Sequence, residues 1–195
     1  TTFEYMPIDD SNLPISKLNV SQLKFLSKDP AMLSYVDPVK REVGNIQSKV
    51  IEINPPDDTL SYEAILVFSD TSSSITSSRG EKLDSKSSDG LPLIVFPHGG
   101  PHGCYTNNYS LAIAFMTLSG FPLLLVNYRG STGFGNRPLH SLLGKIGTQD
   151  VLDTHRASEA ALSLEYPRFD RNRVGVTGGS HGGFLTCHLI GQYPS

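Results

Sequence analysis

The sequence predicts an α/β fold, in which a mostly parallel sheet carries helices on both faces. Residues 91–97 and 121–128 are continuous apolar runs of strand length, as is typical of strands that are covered on both faces. Apolar residues near helical spacing predict a helix over 150–165. Helices are also predicted over 109–119, between the two apolar runs, and over 181–192, ending before Pro194. Strands that alternate with helices along the chain favour parallel pairing, because each helix returns the chain to the same end of the sheet.

Composition excludes several classes of function. The chain has 195 residues, of which 38% are hydrophobic and 18% are charged, values typical of a soluble globular protein. A net charge of -3 without clustered Lys or Arg offers no face for nucleic acid, and no apolar run is long enough to span a membrane. Two cysteines cannot form a disulfide framework, and no zinc or phosphate-loop motif is present. We therefore expect no metal and no cofactor.

Residues 1–90 precede the long apolar runs and differ from them in composition, with scattered prolines and a serine-rich segment. Residues 1–45 contain scattered prolines and do not resemble a complete domain. Residues 48–54 predict a strand, residues 55–58 (PPDD) a turn, and residues 62–68 the returning strand. Residues 69–90 are rich in serine and poor in large apolar groups, so they predict an exposed loop. We assign residues 46–195 to one partial α/β domain.

The segment Gly178-Gly179-Ser180-His181-Gly182 carries the strongest chemical signal. It matches the pattern G-x-S-x-G, and it stands directly after a predicted strand (173–178) and directly before a predicted helix. A sharp turn at that point, the nucleophile elbow of the α/β-hydrolase fold, exposes the serine hydroxyl above the sheet. The small residues around the turn are required because a Cβ would collide with neighbouring backbone. Ser180 is therefore the predicted nucleophile.

A second motif supplies the other half of such a site. Residues 97–101 (PHGGP) follow the third predicted strand, where α/β-hydrolases place one N–H group of the oxyanion hole. The other N–H group belongs to the residue after the nucleophile. The sequence therefore predicts Gly100 N–H and His181 N–H as the two donors, with the His181 ring at the mouth of the site.

The remaining triad members are not found in the sequence. In this fold the order along the chain is serine, acid, histidine, but no Asp or Glu follows Ser180. His188 lies about two helical turns beyond Ser180, too far to act as its base, and His98 is predicted to order its loop. The glycine-rich residues 130–135 predict a loop at the rim of the site. We expect this chain to be a fragment truncated after the elbow helix, and inactive by itself.

These motifs together resemble the prolyl oligopeptidase family. The resemblance rests on residues 97–103 (PHGGPHG), 123–135 (LLLVNYRGSTGFG), 147–153 (GTQDVLD) and 178–194 (GGSHGGFLTCHLIGQYP). It implies a cytoplasmic homo-oligomer in which a β-propeller precedes the α/β-hydrolase domain, so that residues 1–45 would be the end of that propeller. It further implies a serine peptidase that releases N-acylated, typically N-acetylated, amino acids from short peptides.

Two alternatives remain open from the sequence. A carboxylesterase or lipase on the same fold would carry the same elbow and would cleave acyl esters but not acylated peptides. A pseudoenzyme or inert fragment that acts as a binding module would fit the absence of the triad acid and histidine.

Overall fold

The computed structural model describes residues 43–56, 60–69 and 90–194. From Asn45 onward the chain belongs to one compact unit. Nearly all of the predicted propeller end (1–45) and of the serine-rich loop (69–90) lies outside the described residues. The interpretation of those two segments therefore stays a prediction.

Five strands and four helices make up the described unit. The strands are β1 (Ile46–Ile53), β2 (Tyr62–Ser69), β3 (Leu91–Pro97), β4 (Leu123–Asn127) and β5 (Phe169–Val176), and the helices are α1 (Leu111–Leu118), α2 (Asn136–Ser141), α3 (Gln149–Leu162) and α4 (His181–Gln192). They form one sheet in the order β1-β2-β4-β3-β5. The β1/β2 and β2/β4 pairs are antiparallel, whereas β4, β3 and β5 run parallel. The sheet is mixed, with its parallel half beneath the two candidate motifs.

The core lies on both faces of the sheet, as the apolar runs predicted. Along β4, Leu124 and Val126 pack with residues of α3 and α4, while Leu123 and Leu125 pack on the opposite face with residues of α1. Successive side chains of a strand point to opposite faces, so a strand between two helical layers needs apolar residues at every position. The whole of β4 is buried.

The predicted elements are confirmed with small shifts at their ends. Strand β5 begins at Phe169, four residues before the predicted start, and the glycine-rich residues 130–135 are followed by α2, a short helix that the sequence analysis missed. Within the described part of the chain, no helix is long and apolar enough to cross a membrane.

Candidate active site

Ser180 lies at the sharp turn between β5 and α4. Its backbone has φ 55° and ψ −123°, and it is the one non-glycine residue with positive φ in the described ranges. An L-residue adopts this conformation only where its surroundings impose it, and such strain is concentrated at functional sites. Ser180 is exposed, so its hydroxyl is accessible. The turn has the local structure that G-x-S-x-G predicted.

The glycines at both ends of this turn are fixed by close backbone approaches. A Cβ on Gly178 would lie 2.6 Å from the carbonyl carbon of Gly182 and 2.7 Å from its oxygen. A Cβ on Gly182 would collide with the carbonyl oxygen of Pro97, the last residue of β3. The elbow therefore packs directly against the strand that leads into the second motif.

The loop after β3 lies next to the serine. A Cβ on Gly99 would be 3.2 Å from Gly179 O and 3.4 Å from Ser180 Cβ, so this loop lies beside the predicted nucleophile with little room for a side chain between them. Gly100 follows with φ 135°, a conformation that favours glycine. The structure thus brings together the two segments that the sequence selected. The roles of Ser180, Gly100 and His181 stay predictions.

His98 orders this loop from below, as its position predicted. Its ring is buried; Nδ1 donates to Gly99 O at 2.7 Å, and Nε2 lies 2.7 Å from Ser131 Oγ. Burial lowers the pKa of His98, with a smaller contribution of the same sign from His181, while the bond to Gly99 opposes the shift. Burial therefore disfavours the charged form of the ring that holds the backbone of this loop.

Tyr128 joins the same loop to the end of β4. Its ring stacks on that of His98, with the centroids 4.3 Å apart. Its hydroxyl donates to His98 O at 3.0 Å and to Pro101 O at 3.3 Å. Burial raises the pKa of Tyr128, and the charge of Asp150 adds to this rise, so the hydroxyl keeps the proton that it donates.

The His181 ring is not at the mouth of the site, where the sequence analysis expected it. It turns inward, with its side chain only 10% exposed, and its Nε2 lies 2.8 Å from Oδ2 of the fully buried Asp150. Asp150 was not among the site residues predicted from the sequence, although it is an acidic residue at the start of a predicted helix. Only the tertiary structure brings the start of α3 to the start of α4.

A general base for Ser180 is not found among the described residues. No histidine ring there is hydrogen-bonded to Ser180 Oγ, and His188 instead contacts Gln192, one turn further along α4. His102 bonds to Gly130 O and the His155 ring stacks on that of Tyr193, so both rings have structural contacts away from Ser180 Oγ. The candidate site in the described part of the chain therefore consists of the predicted nucleophile Ser180 and the loops beside it.

Comparison with known proteins supports the resemblance that the motifs suggested. Residues 107–195 match the prolyl oligopeptidase family. The chain is 54% identical over 104 residues to the acylamino-acid-releasing enzyme of Rattus norvegicus, an alignment that covers 53% of this chain and 14% of the rat protein. It is 40% identical over 191 residues to the Mus musculus enzyme of the same name, covering 94% of this chain and 24% of the mouse protein.

A solved structure shows the same fold. The acylaminoacyl peptidase of Pyrococcus horikoshii superposes with a TM-score of 0.65 at 26% identity, over 81% of this chain and 23% of that chain. The α/β-hydrolase prediction is thereby confirmed, as is the resemblance to acylaminoacyl peptidases. The chain spans about a quarter or less of the length of these relatives. The activity and substrates of the whole protein are therefore argued below as proposals.

Proposed function

We propose that this chain, a member of the prolyl oligopeptidase family through residues 107–195, carries the nucleophile and the oxyanion hole of an acylaminoacyl peptidase. Its substrates would be short peptides whose N-terminal residue is acylated, typically acetylated. One observation supports this most directly: Ser180 has a strained backbone at a strand-to-helix turn, with the Gly99 loop packed against it. An exposed serine in such a turn is built to attack a carbonyl group.

The chemistry follows from this arrangement. Ser180 Oγ attacks the carbonyl carbon of the acylated residue while a histidine base takes the hydroxyl proton. The carbonyl oxygen becomes an oxyanion that accepts hydrogen bonds from Gly100 N–H and His181 N–H. Each such donor lowers the barrier by about 3 kcal/mol. The base passes its proton to the leaving amine, and water then hydrolyses the acyl-enzyme to release the acylated amino acid.

The proposed function carries further expectations about the triad base and acid, residues 1–45 and the oligomeric state of the parent protein. The base and its acid partner would follow Ser180 in the parent chain, which fits the fraction of the relatives' length that this chain spans. Residues 1–45 would be the end of a propeller domain, and the parent protein would be a cytoplasmic homo-oligomer. The mechanism requires no cofactor.

Labelling with a fluorophosphonate probe tests the assignment of the nucleophile. We expect covalent labelling of Ser180 in the longest natural form of the protein and little or none in residues 1–195 alone. Ser180→Ala should abolish labelling and lower kcat by on the order of 10⁶-fold. Ser163→Ala is the matched control, because Ser163 is a serine at the far end of α3 whose hydroxyl, among the described residues, donates only to Glu159 O.

A pair of substrates then tests the peptidase assignment. We expect the parent protein to cleave an acetylated di- or tripeptide after its first residue, in addition to simple acyl esters. Cleavage of esters without cleavage of acetylated peptides would favour the carboxylesterase alternative. Turnover that persists in Ser180→Ala would refute the nucleophile.

A further inference from the structure

We propose that Asp150 is a positioning residue of the oxyanion hole, which acts on the reaction through the ring of His181. The inference rests on the proposed function, because it concerns the N–H group that would hold the oxyanion. The chemistry of the step is unchanged. Asp150 contacts neither the nucleophile nor the substrate, and it sets the orientation of the residue that does.

The carboxylate of Asp150 is fully buried and is bound on both oxygens. Oδ1 accepts from Gly147 N–H at 2.8 Å and from Val151 N–H at 3.0 Å, and Oδ2 faces His181 Nε2 at 2.8 Å. A carboxylate oxygen only accepts, so Nε2 carries the proton of this bond. A buried carboxylate is costly unless hydrogen-bonded, and the His181 ring is the one side chain that bonds to it in the described structure.

Because of where His181 lies, its bond to Asp150 also restricts the orientation of the backbone N–H group beside Ser180. His181 follows the strained Ser180 directly and is the first residue of α4. The N–H groups of a helix's first turn have no partner within the helix, so its N–H is available to a ligand. Anchoring the ring fixes the side chain of the same residue whose N–H must point at the oxyanion. A displacement of about 1 Å at such a donor can cost 10²-fold in rate.

The side chain of Tyr128 contacts both segments that would supply the oxyanion hole, the Gly100 loop and His181. The Tyr128 ring is 6.0 Å from the His181 ring and stacks on His98, and its hydroxyl bonds to the backbone of the Gly100 loop at His98 and Pro101. The Phe184 ring also stacks on the His181 ring, with the centroids 5.2 Å apart. With Asp150 in place, the ring is confined among these groups. Without that bond, the Tyr128 and Phe184 contacts alone would have to fix its orientation.

Asp153 provides the matched control. It lies nearly one turn further along α3 and is equally buried, but its carboxylate pairs with Arg129 at 2.6 Å and not with any residue assigned to the site. Asp153→Asn and Asp150→Asn remove the same charge from the same helix. A purely structural role for Asp150 predicts that both variants lose stability and that neither loses kcat once folded.

The test measures kcat, KM and inhibition by a peptide boronic acid in the longest natural form of the protein. The boronate adduct places an oxygen in the oxyanion hole. We expect Asp150→Asn to lower kcat by about 10- to 100-fold with KM changed less than about 3-fold. Boronate affinity should fall by the same factor as kcat. Asp153→Asn should keep kcat within about 3-fold at a temperature where it is folded.

Variants of His181 decide whether Asp150 acts through its ring. His181→Gln keeps an N–H close to the position of Nε2, so it should retain at least about ten times the kcat of His181→Ala. Adding Asp150→Asn to His181→Ala should cause no further loss. Should Asp150→Asn fail to fold, the Gln and Ala variants still carry the test.

The outcomes separate the two proposals. Equal kcat in Asp150→Asn and wild type, or equal losses in the Gln and Ala variants, would overturn the role of Asp150 and leave Ser180 as the nucleophile. A wild-type protein whose Ser180 is not labelled by fluorophosphonate would overturn the proposed function, and the role of Asp150 with it.

Discussion

Gly182→Ala tests the geometry of the elbow. The added methyl group would collide with Pro97 O, and it would also lie 3.2 Å from Pro97 C and 3.3 Å from His98 C. All three atoms belong to the backbone at the end of β3, which cannot rotate away as a side chain can. Relief requires α4 to move away from the sheet, at a cost of about 1–3 kcal/mol or more for an overpacked interior.

The size of the expected effect follows from two opposing contributions. Alanine is favoured over glycine inside a helix by about 1 kcal/mol, so a substitution without steric conflict would stabilise α4. Gly191→Ala is that case, because it lies in the same helix and its Cβ would have no neighbour within 4 Å. We expect Gly191→Ala to raise the free energy of unfolding by about 0.5–1 kcal/mol and Gly182→Ala to lower it by about 2 kcal/mol.

Urea unfolding monitored by circular dichroism measures both variants against wild type. Gly182→Ala should also lose fluorophosphonate labelling, since its methyl group displaces the start of the helix from the loop beside Ser180. A Gly182→Ala protein as stable and as reactive as Gly191→Ala would show that α4 does not approach β3 as closely as described. It would refute the argument that links the glycines of the motif to the elbow.

Two further predictions concern buried charge and pH. Asp153→Ala should lower the free energy of unfolding by about 3–5 kcal/mol, because it leaves the Arg129 guanidinium buried without its carboxylate. Glu159→Ala removes the exposed ion pair between Glu159 and Arg171 and should lower the free energy of unfolding by under about 1 kcal/mol. Similar losses for the two variants in urea unfolding would contradict this. Burial lowers the pKa of His98 in the folded state, so just below about pH 6.5 the unfolded chain binds more protons at this ring than the folded chain does. The contribution of His98 to stability is therefore present above about pH 6.5 and is lost as the pH falls. Replacing it in His98→Asn should make the fall in stability between about pH 7 and 5 shallower, and identical slopes in the two proteins would rule out His98 as its source.

Local sequence determined most of the fold and the turn that carries the predicted nucleophile. Continuous apolar runs predict strands between two helical layers, because burial on both faces leaves no position for a polar side chain, and β3 and β4 follow those runs closely. The Ser180 turn is local in the same sense. Its strand, glycines and helix are contiguous, so the motif and its context predict both the strain and the exposure that the structure shows.

The tertiary structure alone decided which distant residues support the site. The packing of β3 between β4 and β5 places the Gly99 loop against Ser180, although 81 positions separate them along the chain. Packing of α3 against α4 brings Asp150 to His181, and the His181 ring turns inward to bond to it instead of lying at the mouth of the site. A buried polar side chain takes the orientation in which its hydrogen-bonding groups have partners. When the partner is distant in the sequence and is brought close only by the fold, residue spacing cannot predict that orientation.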